Sequence, residues 1–363
     1  MEINALLEKK HPDITDLVYL LNCQGEEEEK LFAYTQTLRN HLLGNGVHMR
    51  GLIEISNVCI KDCLYCGIRK SNSNVKRYSL SDQDILSAAS YAFEHQYGSI
   101  VLQGGERTDI NFIIRIEKLL KNIKHLSKYQ LGITLSLGEQ NEDTYKRWFD
   151  AGAHRYLLRI ETSNRELYKK IHPQNDLHHF DTRLNCIRLL QKCNYQTGTG
   201  VMIGLPFQTP EDLAQDLLFL KEMNIDMVGM GPYLEHHDTP LWALRKQLLP
   251  QTDRLRLSLH MVSCLRLLMP DINIAATTAL QAIHPEGREK ALAIGANVIM
   301  PNITPPDNRG NYRLYENKPG MNEGTEESTL RLIESVKKSG CEIQLNAWGD
   351  SLHYSRKKQA KHL

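Results

Sequence analysis

The chain has 363 residues, a formal net charge of +1, and 41% hydrophobic and 24% charged residues, enough to bury one large barrel or two ordinary domains. A balance so close to neutral gives no electrostatic footprint for nucleic acid or for an anionic membrane surface. The first ten residues lack a basic start followed by an apolar core and no later stretch approaches membrane-spanning length, so a cytoplasmic protein with no nucleic-acid or membrane partner is expected.

Residues 1–48 read as an N-terminal helical cap, with apolar residues at helical spacing over 16–21 and 31–38 and the acidic run Glu26 to Glu29 as a solvated helix start. Eight short β-type runs follow, at 49–56, 99–103, 131–137, 155–161, 198–203, 227–230, 273–276 and 297–300. Amphipathic helical stretches separate them, at 81–95, 112–124, 143–151, 180–192, 210–223, 253–269 and 287–294. Eight strand–helix repeats predict an α/β fold, a (β/α)8 TIM-type barrel over 49–305, with its active site at the carboxyl ends of the strands. Residues 306–363 are then a C-terminal extension closing the barrel.

Just after the first run comes Cys59-Ile60-Lys61-Asp62-Cys63-Leu64-Tyr65-Cys66-Gly67. A four-iron cluster takes four thiolates, so a compact trio with no fourth nearby leaves one iron open to a substrate. Structural zinc needs four ligands, usually as two pairs, while Cys23, Cys186, Cys193, Cys264 and Cys341 are scattered singly. Tight spacing, an odd number and no secretory signal argue against disulfides.

Strand parity gives an independent reading, because one side of each strand faces the barrel interior. On the fourth run Arg155, Leu157, Arg159 and Glu161 share one face, opposite Tyr156, Leu158 and Ile160. On the third, Thr134, Ser136 and Gly138 alternate with apolar residues, and Glu54 and Ser56 do likewise on the first. Interior charges are costly unless paired or facing a polar cavity, so either a polar chamber or an internal salt-bridge network is implied. The second run ends in Gln103-Gly104-Gly105-Glu106, where two glycines let a ligand approach the backbone and Glu106 can meet an ammonium group. Thr209-Pro210 reads as a helix start. His236-His237-Asp238 suits a surface or cavity rim better than a metal site, and the strand ends at Thr277-Thr278 and Met300 offer groups to a ligand or to loop backbone. The basic run Arg356-Lys357-Lys358 reads as solvated surface.

With its C-x3-C-x2-C frame, Tyr65 before the last cysteine and the Gln103 to Glu106 segment, the chain resembles the radical S-adenosylmethionine (SAM) superfamily. Within it, Thr134 to Glu139, Arg155 to Thr162, Met227 to Pro232, Ala276 to Ala279 and Gly295 to Asn302 are similar to the HydE family of iron-iron hydrogenase maturases. The resemblance implies one 4Fe-4S cluster on Cys59, Cys63 and Cys66, whose open iron is chelated by SAM and whose electron cleaves it to a 5′-deoxyadenosyl radical. It implies cofactor contacts from Tyr65, Gln103, Gly104, Gly105, Glu106, Ser136, Glu161 and Arg183, with Tyr312 covering the cofactor. Thr134, Arg155, Arg159, Thr277, Thr278, Met300 and Tyr315 would line the substrate chamber. A small iron-containing or cysteine-derived substrate, a low-potential electron donor and the maturases HydG and HydF are the implied partners. Some relatives carry an auxiliary cluster on three C-terminal cysteines; residues 316–363 contain only Cys341, so no auxiliary C-terminal cluster is expected. The rival readings are a methylornithine synthase-like or biotin synthase-like enzyme on a small amino-acid-type substrate and, in another class, a non-catalytic iron–sulfur carrier, which would need no polar chamber.

Overall fold

The computed structural model describes residues 2–320 and 325–361. Its strands are β1 Gly46–Ser56, β2 Ser99–Gly104, β3 Gly132–Ser136, β4 Arg155–Leu157, β5 Gln196–Thr199, β6 Met202–Ile203, β7 Met227–Val228, β8 Gly231–Pro232, β9 Asn273–Ile274, β10 Val298–Ile299 and β11 Glu342–Gln344. Eight of them form one parallel sheet in the order β10-β1-β2-β3-β4-β5-β7-β9. A parallel bridge from Ala275 to Val298 joins the two ends of that order. All eight sequence-predicted runs overlap one of these eight strands, as a parallel barrel with crossover helices requires.

The strands hold because their outward faces are apolar and bury against helices. Ile53 and Ile55 of β1, Ile133 and Leu135 of β3 and Tyr156 of β4 are fully enclosed in one continuous core with Ile116, Leu120 and Trp148 of the outer layer. Helix starts are set by side-chain caps. Ser81 and Thr209 form reciprocal capping boxes with Asp84 and Asp212, the latter with Pro210 in the first turn. Asp109, Asn141 and Asn164 cap three more. Each cap marks where a strand-end loop stops, which fixes the length of the loops that carry function.

The N-terminal helices Ile14–Asn22 and Glu26–Leu43 pack against the outer helices Pro210–Glu222, Gln251–Leu268 and Gly287–Ile294. After β11, which pairs with the start of β1, the chain crosses the amino ends of the strands. There the Trp348 carbonyl accepts from Arg155 at 2.7 Å and the Gly349 carbonyl from Arg50 at 2.9 Å and Asn273 at 2.8 Å. The final helix, Leu352–Lys361, is docked rather than simply solvated: Arg356 pairs with Asp271 and Lys357 with Asp226, each at 2.7 Å. Sequence pattern missed these pairs because their partners sit more than eighty residues away. Among the described residues, no helix is long and apolar enough to cross a membrane.

Candidate active site

The three cysteines lie in the long loop between β1 and the helix Asp82–Glu94, at the carboxyl end of the barrel. Backbone contacts pin this loop to several elements. The Ile60 N–H donates to the Glu106 carbonyl, and the Gly67 N–H to the Leu314 carbonyl, each at 3.0 Å. The Asp62 N–H donates to His178 Nε2 at 2.9 Å, and the Asp62 carboxylate gathers Arg69 and Ser71. Gly105 is needed for space: a Cβ there would collide with the Val58 carbonyl and the Cys59 side chain. Gly67 has the same role, since a Cβ would run into the Arg313 carbonyl and the His236 ring.

The donor set fits an iron–sulfur cluster. All three cysteines are free and partly exposed; charge repulsion from Cys59 raises the pKa of Cys63, and repulsion from both raises that of Cys66. Burial is the larger effect, pushing the Cys63 thiol up to about 12 and the Cys66 thiol well above the usual range. Such thiols stay protonated unless a cationic centre deprotonates them on binding. The sulfurs are not gathered within the 4.8 Å spread of a single-ion site; among the described residues only His236, His237 and Glu316 are. A wider spacing suits a 4Fe-4S cluster, in which each thiolate binds a different iron. Cys59 Sγ already accepts the Glu106 N–H at 3.3 Å, a contact that would stabilise charge on a bound sulfur.

Cys66 stands on the wall of a cavity of about 270 Å³ that descends into the barrel. Tyr65, Gln103, Ser136, Arg159, Glu161, Thr277, Thr278, Met300 and Tyr315 line the same cavity. Inside it Arg159 grips Glu161, with Nε 3.0 Å from both carboxylate oxygens. The remaining Arg159 donors reach the Val201 carbonyl at 2.9 Å and the Gly229 carbonyl. Glu161 has a φ of 70°, a left-handed conformation that a non-glycine residue keeps only where its surroundings impose it.

Other expected site residues stand behind this wall. Glu106, Glu139, Lys61 and Arg183 form a buried network: Lys61 meets Glu106 at 3.2 Å and Glu139 at 2.7 Å, and Arg183 pairs with Glu139. The ammonium group facing Glu106 is thus Lys61 of the cysteine loop. Arg183 also donates to the Arg159 carbonyl at 2.7 Å, which ties the network to the cavity floor. Gly104 ends β2, and the buried Tyr312 hydroxyl accepts from Gln103 at 3.3 Å.

Thr134 and Arg155, expected in the substrate chamber, do not line this cavity. Both lie one layer lower, where Arg155 donates to Thr134 at 3.0 Å and pairs with Asp350 at 2.7 Å. Parity placed them inside the barrel correctly but says nothing about depth along its axis. Sequence reasoning also missed Lys318, which reaches into the cavity to pair with Glu54; no pattern marks a single lysine of a distant loop as an interior cation. His236 is buried against Gly67, while His237 is exposed and bonded to Glu316.

A sequence profile of the Radical SAM superfamily matches residues 53–220, from β1 into the helix Pro210–Glu222. The [FeFe] hydrogenase maturase subunit HydE of Thermotoga maritima is 46% identical over 290 residues, 80% of this chain and 80% of its own. Among solved structures, methylornithine synthase (PylB) matches with a TM-score of 0.80 at 23% identity, covering 95% of this chain and 97% of that one. HydG from Carboxydothermus hydrogenoformans matches with a TM-score of 0.78 at 18% identity, covering 94% and 78%. At these identities the two structures speak for the barrel fold alone.

Proposed function

We infer, for a chain that belongs to the radical SAM superfamily and to the HydE family within it, that it is a radical SAM enzyme acting in maturation of [FeFe] hydrogenase. The 46% identity to HydE over four-fifths of the chain carries this reading. A cluster-binding loop that opens onto a polar barrel cavity supports it. In this proposal Cys59, Cys63 and Cys66 hold one 4Fe-4S cluster by three ligands, leaving the fourth iron to SAM. When bound, the pair supplies a 5′-deoxyadenosyl radical by reductive cleavage of SAM.

The protein's own part is to position and enclose. Gln103, Ser136 and Glu161, on the wall with Cys66, are proposed to contact SAM, with Tyr65 beside the cluster. Gly104 and Gly105 leave room for the cluster and the methionyl end, while Glu106 and Arg183 brace the loop from behind and Tyr312 orients Gln103. Arg159, Thr277, Thr278, Met300 and Tyr315 are proposed to line the substrate space, where the enclosing barrel wall holds the substrate against the radical carbon. Thr134 and Arg155 are assigned instead to the base of the barrel. Cys341 is buried beside the Leu292 carbonyl, and no auxiliary cluster is proposed. The substrate is taken to be a small iron complex carrying a cysteine-derived ligand, the reductant a low-potential donor, the partners HydG and HydF, and the compartment the cytoplasm.

The test is activation of apo-hydrogenase in a mixture with HydG, HydF, SAM and reductant. Activation should require this chain and should vanish with Cys66→Ser. Equal activation without the chain would refute the maturation role, and a chain that cleaves SAM but never activates hydrogenase would point to another small substrate.

A further inference from the structure

The helix Gly287–Ile294 turns Arg288 and Glu289 toward a second cavity of about 200 Å³. This cavity adjoins the chamber, because Leu52, Thr278, Met300 and Lys318 line both. Arg288 is only 8% exposed, yet among the described residues its guanidinium has no hydrogen-bond or ion-pair partner, and its Nε is fully enclosed without an acceptor. Beside it Glu289 accepts from Ser335 through Oε1, while Oε2 is enclosed without a donor. Lys318, the cation common to the two cavities, is already neutralised by Glu54.

An enclosed guanidinium nitrogen without an acceptor costs stability, and so does an enclosed carboxylate oxygen without a donor. Here the two groups face one cavity, side by side, in the open state of a complementary pair. A guanidinium suits a carboxylate, whose two oxygens match its planar donors. A carboxylate oxygen suits an ammonium group. We propose that this side cavity binds the head group of a free α-amino acid, its carboxylate on Arg288 and its ammonium on Glu289. Two sources share that chemistry: methionine left by SAM cleavage, which rests on the function proposed above, and an amino acid passing between solvent and the chamber.

The test uses oxidised holoprotein saturated with SAM, so that the cofactor site is filled and no cleavage occurs. Calorimetric titration with L-methionine and with L-cysteine should show binding of at least one. Preference for methionine identifies the cleavage product as the source, and preference for cysteine the solvent route. 4-(Methylthio)butanoate, which lacks the ammonium, and 3-(methylthio)propylamine, which lacks the carboxylate, should each bind at least about tenfold more weakly than methionine. Arg288→Gln and Glu289→Gln should weaken amino-acid binding by a similar factor and leave SAM binding unchanged. No binding of either amino acid, or binding indifferent to both substitutions, would overturn the proposal. Arg288→Met supplies a check on folding: a residue with no partner to lose should keep or raise the melting temperature, and a clear fall would assign Arg288 a structural role instead. Amino-acid binding that survives in a chain unable to cleave SAM would count against the proposed function and not against this site.

Discussion

Arg159 and Glu161 neutralise each other inside the chamber, and Glu161, proposed above to contact SAM, keeps a left-handed backbone there. Substituting Glu161→Gln keeps the shape but removes the charge, so the KM for SAM should rise by about tenfold or more, the scale of one charge-assisted hydrogen bond. Initial rates of 5′-deoxyadenosine formation across SAM concentrations measure this; an unchanged KM would remove Glu161 from the cofactor contacts. Gly105 makes a different kind of demand. A methyl group there meets the Val58 carbonyl and the Cys59 side chain, so Gly105→Ala should displace the first cluster ligand. Iron retained after reconstitution should fall below about half of the wild-type content of roughly four per chain, and full retention would show that the loop can yield.

The segment that follows β4 is anchored through a buried acid. Asp216, on the helix Pro210–Glu222, accepts from the Ser163 N–H and hydroxyl through Oδ1, while Oδ2 has no partner. Burial pushes its carboxyl up to about 7, against the lowering effect of the Ser163 hydrogen bonds. The folded chain therefore holds a proton that the unfolded chain releases near pH 4. The Asp216 contribution to stability should be greatest below about pH 4, fall as pH rises toward about 7, and level off above it, by on the order of 4 kcal/mol. Asp216→Asn should abolish that component; parallel pH–melting curves of the two proteins would contradict it.

At the opposite end of the barrel, the strap before the final helix supplies Asp350 to Arg155 and His154. Arg155 and His154 are partners to a carboxyl held well below its usual range, although burial opposes that shift. Asp350→Asn would leave the fully enclosed Arg155 guanidinium with carbonyl and hydroxyl partners only, a loss of about 3 kcal/mol on the scale of a broken buried pair. Denaturant unfolding measures it, and a loss below about 1 kcal/mol would mean that water reaches the half-exposed Asp350 and replaces the pair.

Across the whole molecule, what could be read from sequence divides by physical range. Strand positions and the inward face of β4 follow from local alternation, and the cysteine loop from its own spacing, so these were legible. The depth of Arg155, the Lys318 to Glu54 pair and the strap under the barrel depend on chain segments far apart in sequence. No local pattern carries that information. The same is true of the side cavity, whose Arg288 belongs to an ordinary amphipathic helix and whose significance lies in having no partner.

In the function proposed above, the cysteine loop and the cavity beneath it form one radical-generating site. Anaerobically reconstituted, reduced chain should convert SAM to 5′-deoxyadenosine and methionine, and Cys59→Ser, Cys63→Ser and Cys66→Ser should each abolish the product. Absence of 5′-deoxyadenosine from the cluster-loaded wild type under any low-potential reductant, or product formation that persists in the three variants, would contradict it.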